Sequence, residues 1–199
     1  MNQSTRQGFK TRLRHLSRRQ QLAFMAALCE RLVPNYALYA QMAGWGDVQA
    51  LRVVLDLVWE TLQVREARID FARQAEKLAE LEPPGDDDSF GARRATETVV
   101  ALAAVLDALQ GEAAEAPLEV SQVSRSGVQA FIEMTEGRED DDAERNAARL
   151  REHPLMAEEQ EFQEAVLNEV EAELGRDGLK ALRRLGRNEG VSNLGLSLD

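Results

Sequence analysis

Residues 24–62 read FMAALCERLVPNYALYAQMAGWGDVQALRVVLDLVWETL, and about two thirds of them are apolar against 44% for the whole chain. Both tryptophans, both tyrosines and the single cysteine lie here. The spacing decides the fold class. Leu22, Met25, Cys29, Leu32 and Tyr36 recur every three or four positions, and so do Val48, Leu51, Leu55, Val58 and Leu62, which is the period of a helix and not of a strand. Val54, Leu57 and Trp59 widen the second stripe, and Gln49, Arg52, Asp56, Glu60 and Gln63 form a single polar stripe. A helix apolar around most of its circumference is covered by neighbours on most sides. Val48–Leu62 is therefore predicted to be the central buried helix of an all-α, single-domain, multihelical bundle. Pro34 has no amide hydrogen and clashes with the preceding turn, which predicts a kink or a restart there. Gly44-Trp45-Gly46 predicts a turn, and Asp47 an N-cap.

Outward from this stretch the chain supplies covering helices. Residues 1–16 form a basic amphipathic segment with Phe9, Leu13 and Leu16 on one face, expected to dock on the acidic body. Ser17 is suited to cap the helix that follows. A helix from about Asp70 carries Phe71, Ala75, Leu78 and Leu81 and ends at Pro83-Pro84-Gly85. Further helices are predicted over residues 91–109, 117–135, 143–150, 154–174 and 177–187, and residues 188–199 as an extended tail. Seven glutamates without a basic residue between positions 158 and 173 predict packing beside the N-terminal arginines or Arg176–Arg187. No segment alternates as a strand does, and no fixed-period repeat occurs.

Charge narrows the function. The net charge is −11, yet residues 1–20 hold six basic side chains and no acidic one. The rest of the chain carries all 35 acidic groups and only 18 of the 24 basic ones, which disfavours binding nucleic acid over a broad surface. No run is apolar enough to span a membrane and no leader is recognisable, so the cytoplasm is the expected compartment and a membrane is not an expected partner. One cysteine rules out a disulfide framework and a multi-thiolate metal site.

Asp86 and Asp88 match the first positions of a calcium loop, with Gly91 and Glu97 further on, but Phe90 offers no oxygen where a ligand is needed. A di-iron bundle needs Glu-x-x-His on two helices, and the residues three before His15 and His153 are Arg12 and Leu150. Cys29 lies among apolar residues, with Arg31 pointing about 160° away on a helix, and is read as a core thiol. No phosphate loop, dinucleotide fingerprint or nucleophile elbow is present. No catalytic residue, metal or cofactor is expected.

Several runs together resemble the YjaG family, bacterial helical proteins with a domain of unknown function. They are Phe24-Met25-Ala26, Leu28-Cys29-Glu30-Arg31, Pro34-Asn35-Tyr36, Gly46-Asp47, Leu55-Asp56-Leu57, Trp59-Glu60-Thr61-Leu62, Glu133-Met134-Thr135, Gly137-Arg138-Glu139 and Ser192-Asn193-Leu194-Gly195. The resemblance implies a multihelical cytoplasmic protein and carries over no catalytic residue. The loop 83–92 and the segment 138–152 diverge from it.

The function is unknown from sequence. The leading reading is a noncatalytic interaction or regulatory protein with a protein partner or self-association. The alternative is an enzyme or small-ligand binder using Asn35, Asp56, Trp59 and Glu60 beside the Pro34 break. The third is nucleic-acid association through the basic N-terminus.

Overall fold

The computed structural model describes residues 8–64, 66–111, 115–137, 142–172 and 174–198. Among them are nine α-helices and no strand: α1 (Phe9–His15), α2 (Arg18–Ala43), α3 (Val48–Gln63), α4 (Phe71–Ala79), α5 (Phe90–Gln110), α6 (Ala116–Glu136), α7 (Ala143–Glu152), α8 (Pro154–Glu171) and α9 (Arg176–Arg187). A 3-10 turn, Asn188–Gly190, follows α9. No helix among the described residues is long and apolar enough to cross a membrane.

The bundle is built around a central buried helix, and that helix is α2. It begins at a capping box, in which Ser17 accepts from the Gln20 amide while Gln20 accepts from the Ser17 amide at 2.8 Å. Every residue from Leu22 to Glu30 is buried, and α3, α5, α6, α8 and α9 all pack on this helix. Val48–Leu62 is thus not the centre. It buries Leu51, Leu55, Val58 and Trp59, but Val53 is 46% exposed and Glu60 faces solvent. Val53 and Leu57 sit between Gln49, Arg52, Asp56 and Glu60 on the open side of α3. Apolar residues set into a polar stripe were read as burial.

Pro34 neither breaks nor restarts the helix, since α2 runs through it. An interior proline costs about 3 kcal/mol. The large side chains on both sides of it, among them Phe24, Leu28, Leu32 and Tyr36, each contribute about 1.5–3 kcal/mol on full burial. Neighbours that hold both halves of α2 therefore outweigh the local defect. The turn after α2 follows expectation: Gly44 caps the helix at φ 63° and Asp47 accepts from the Ala50 amide at 2.9 Å. Gly46 has a steric role besides, because a Cβ there would meet the Tyr36 hydroxyl at 2.8 Å.

The helix pairs show how sequence becomes packing. Gly186 on α9 lets that helix lie against α2; a Cβ would come within 2.5 Å of the Ala27 carbonyl oxygen. Alanines on α5 do the same more gently, and Thr98 donates to the Leu32 carbonyl at 3.2 Å across that contact. α1 docks through buried Leu13 and through Arg12, which donates to Glu164 at 2.8 Å, Asn168 at 2.6 Å and Glu171 at 2.6 Å on α8. The acidic helix thus packs beside the N-terminal arginines. Residues 1–7 and Glu173, included in those two expectations, lie outside the described residues, as do residues 138–141.

The C-terminal segment does more than trail in extended form. Asn188 and Glu189 adopt positive φ, 43° and 55°, which turns the chain back. Ser192, Asn193 and Leu194 are then buried against α2 and α6. Leu194 joins Val128 and Ile132 in a small second core, flanked by Phe90 and Phe131.

Candidate functional site

The four residues singled out beside the Pro34 break fall into separate places. Asp56 and Trp59 meet an ionic cluster on one side of α2. Its centre is Glu30, 1% exposed, which accepts from Arg52, from Arg183 Nε at 2.9 Å and from Arg187 Nε at 3.4 Å. Asp56 accepts from the other arm of Arg183. That guanidinium also stands 5.6 Å from the centre of the Trp59 ring. Trp59 is wholly buried, and its indole nitrogen has no hydrogen-bond partner. Glu60 is exposed and makes none of these bonds. The cluster ties α9 and α3 to α2, and its carboxylates are already bound by arginines.

Asn35 belongs to a second polar system. Its Nδ2 donates to Asn193 Oδ1 at 2.8 Å. Asn193 Nδ2 donates to the Ser124 carbonyl at 3.0 Å and to its Oγ at 3.2 Å. Ser124 Oγ donates to Glu159 Oε1 at 2.6 Å, which also accepts from Gln163 Nε2 at 2.6 Å. Ser121 Oγ closes the series on Gln163 Oε1 at 2.6 Å. The C-terminal tail, α2, α6 and α8 are thereby joined through the interior. Burial holds the Glu159 carboxyl above its ordinary pKa, opposed by the bonds from Ser124 and Gln163 and by the charges of Arg31 and Arg125. Its Oε2 is buried without a partner.

Beside Asn35 a cleft of about 500 Å³ opens between the second half of α2, the start of α5, the end of α6 and the tail. That is the usual size for a small-molecule site. Its walls are mostly apolar: Leu38, Tyr39, Phe90, Phe131, Leu194 and Leu196. Two methionines stand at it, Met42 at 80% and Met134 at 54% exposure. The cleft also receives Arg94, only 7% exposed, whose Nη2 donates to Glu97 at 2.6 Å and whose guanidinium lies 4.6 Å over the Phe90 ring. Burial lowers the Arg94 pKa, with Glu97 opposing, and burial raises that of Glu97. Asp87, of the triple aspartate, spends its two oxygens on the Tyr39 hydroxyl at 2.8 Å and the Ser89 amide at 3.0 Å. The Ser89 side chain, the Tyr39 hydroxyl and the Ser89 amide together hold its carboxyl below the ordinary range.

A larger hollow, about 870 Å³, lies between α1 and α6. It is rimmed by charges of both signs, Lys10, Arg14, Glu115, Glu119 and Arg125, and Arg14 is already paired with Glu115 at 3.0 Å. No side chain lining it has a buried polar atom left without a partner. Cys29 is buried, and desolvation pushes its thiol far up, which leaves a core thiol with little thiolate.

Sequence reasoning found Asn35 and missed Arg94, Met42, Met134 and the tail. Met134 and Asn193 stood in runs that carried the family resemblance, but nothing local tied them to Asn35. Arg94 lies in an ordinary amphipathic pattern, and only the fold shows it buried.

With this geometry in hand, comparison with known proteins places the chain. Residues 8–197 match the family described as Protein of unknown function (DUF416). The chain belongs to the DUF416 family. A relative from Escherichia coli K12, Uncharacterized protein YjaG, is 41% identical over 191 residues, spanning 93% of this chain and 94% of that one. A Salmonella typhimurium protein of the same name is 38% identical over 195 residues, 94% of each chain. The resemblance to the YjaG family is thereby confirmed. The crystal structure of a DUF416 family protein from Shewanella baltica OS155 superposes with a TM-score of 0.89 at 31% identity, covering 97% of this chain and 100% of that chain. The all-helical, single-domain architecture is shared, and none of these names carries an activity.

Proposed function

We propose that this protein is a noncatalytic, cytoplasmic binding protein whose recognition site is the cleft bounded by α2, α5, α6 and the C-terminal tail. One observation carries the reading. The cleft joins large exposed apolar side chains, Met42 and Met134, to two mostly buried polar residues in its wall, Asn35 and Arg94. Concave apolar walls with a few convergent polar groups are the ordinary form of a binding site. Exposed methionines suit it because their flexible thioethers adapt to an occupant. The reading joins the absence of catalysis to the ligand-binding part of the alternative. Of the four residues expected there, Asn35 lines the cleft, whereas Asp56, Trp59 and Glu60 lie with the ionic cluster or in solvent.

A thermal-shift screen of small neutral compounds tests it, using the wild type and the double substitution Met42→Asp/Met134→Asp. Both positions are exposed, so the variant should melt as the wild type does without ligand. Compounds that stabilise the wild type should lose their effect on the variant. Equal stabilisation of both proteins, or no stabilisation of either, would remove the cleft as the site.

A further inference from the structure

Away from the cleft, α9 carries more positive charge than the fold consumes. Arg176, Lys180, Arg183, Arg184 and Arg187 recur at helical spacing. At about 100° per residue they share an arc of about 100°, over about 16 Å of helix. Like charges so placed repel one another. Arg183 is bound to Glu30 and Asp56, and Arg187 to Glu30 through Nε alone. Arg52 of α3 reaches the same carboxylate through one Nη. The side chains of Arg176 and Arg184 are exposed and have no hydrogen-bond or ion-pair partner among the described residues. The face is thus cationic on a protein whose net charge is −11.

We infer that the face formed by α3 and α9 docks an acidic helix of a partner protein. The wholly buried Glu30 holds Arg52, Arg183 and Arg187 in place, so less freedom is lost when their remaining N–H groups meet a carboxylate. A helix with one carboxylate per turn repeats every three or four residues, which is the spacing of Arg176, Lys180, Arg183 and Arg187. On α3, Val53 is 46% exposed and Leu57 half-buried, and they border the cations as a seat for the partner's apolar side chains. Arginine is enriched and lysine depleted at such interfaces, and the row on α9 has four arginines to one lysine. The chain already uses this chemistry once: Arg12 of α1 binds Glu164 and Glu171, two turns apart on the acidic α8. A nucleic acid fits less well. A duplex carries one charge per about 1.7 Å and would bring phosphates against Asp56, Glu60 and Asp177 as well. The one aromatic residue of α3 and α9, Trp59, is wholly buried and offers no base a stacking surface.

The test is fluorescence anisotropy with the full chain and labelled probes. One probe is a helical peptide of about 16 residues with glutamates along one face and leucines beside them, about 24 Å long. Its twin has glutamine for every glutamate, and single-stranded and duplex DNA complete the set. The acidic peptide should bind saturably, at least about tenfold more tightly than its twin or either DNA, and at least about tenfold more tightly at about 0.05 M than at about 0.5 M salt. Lys180→Glu/Arg184→Glu should weaken it at least about tenfold, as two reversed charges on the face require. Both positions are exposed and lie outside the Glu30 cluster, so the variant should melt as the wild type does. Met42→Asp/Met134→Asp should leave peptide binding unchanged, because the cleft is a separate site. The inference fails if the acidic peptide does not saturate at low salt, if the α9 variant binds it equally, or if the twin or a DNA binds as well. It also fails if the cleft variant loses the peptide, which would seat the peptide in the cleft. If the protein pairs with itself at low salt and the α9 variant is a monomer, the occupant is a second copy and the acidic partner is wrong.

Discussion

Glu30 and Glu159 are equally buried, each 1% exposed, and the protein surrounds them in opposite ways. Glu30 meets three guanidinium groups, from Arg52, Arg183 and Arg187. Glu159 meets a serine and a glutamine, and one of its oxygens meets nothing. A buried charge surrounded by opposite charges holds elements in register, because removing one partner strands the others. A buried carboxyl held only by neutral donors retains its proton more strongly than usual and tolerates an imperfect fit. The first arrangement fastens α3 and α9 to α2. The second belongs to the polar chain that runs from Ser121 to Asn35 and ends at the cleft. The cleft, with Asn35 and Arg94 in its wall, lies on the side of the molecule that also exposes methionines, whereas the carboxylates of the ionic cluster are already bound by arginines, which is why ligand recognition is placed at the cleft.

The largest way to break the comparison is at Glu30. Glu30→Ala should destabilise the fold by about 3 kcal/mol, the low end for a broken buried pair, because the three arginines are partly exposed and can turn to water. Urea melts with an unchanged m-value would measure it. A loss under about 1 kcal/mol would mean that the arginines merely decorate α2. Gly186→Ala attacks the same junction by sterics. Its new methyl would meet the Ala27 carbonyl oxygen, which belongs to a rigid helix, so about 2 kcal/mol should be lost. A thermal melt equal to that of the wild type would show that α9 can lift without cost.

The two sides also differ in how far the sequence revealed them. Local signals were readable wherever the physics is local. Ser17, Asp47, Asp70 and Ser89 each stand before a helix and each accepts from an amide of its first turn. A helix was legible over residues 177–187, where α9 lies, and Pro83-Pro84-Gly85 marked the end of the helix begun near Asp70. Glu30 was visible only as a charge within an apolar run, since its partners lie 22, 153 and 157 residues away. The same distance problem concealed the cleft. Asn35 was readable as a polar residue where the helix should be apolar, but its partner Asn193 is 158 residues on, in a tail expected to be merely extended. The centre was misplaced within the right stretch because composition cannot say which of two apolar helices is surrounded. α2 hides its own centrality, having no clean polar face to mark an outside.

On the cleft side, Asn193→Ala should cost about 1–2 kcal/mol. It leaves the Asn35 amide nitrogen unpaired in the interior and removes the second bond to the Ser124 carbonyl, which keeps its bond within α6. It should also loosen the tail before the rest of the bundle. Hydrogen exchange at the Leu194 and Leu196 amides, both of which donate to Ser192 Oγ, reports that directly. Faster exchange confined to these amides is expected. Unchanged exchange there would mean the tail is held by Leu194 and Leu196 packing alone.

The smallest effect is expected at Glu159, and its sign reverses the usual pattern. Because burial raises its folded-state pKa above the unfolded value, the folded protein holds this proton more tightly than the unfolded chain. The contribution to stability is therefore complete at pH values below the unfolded carboxyl range. It declines as pH rises from there through the raised folded value, and above that the full penalty of an ionised buried group is present. Glu159→Gln keeps an oxygen able to accept from Ser124 and Gln163 and removes the ionisation. The variant should be more stable than the wild type at pH 8 by up to about 1 kcal/mol, the difference between an uncharged and a charged unpaired atom after partial compensation by Arg31 and Arg125. The advantage should shrink as pH falls toward the unfolded carboxyl range. Paired urea melts of the two proteins at several pH values give the difference curve. A flat curve would show that Glu159 is fully compensated, and Glu30 and Glu159 would then differ in partners but not in consequence. A variant less stable at every pH would show that Oε2 has an acceptor's role that the amide nitrogen of glutamine cannot fill.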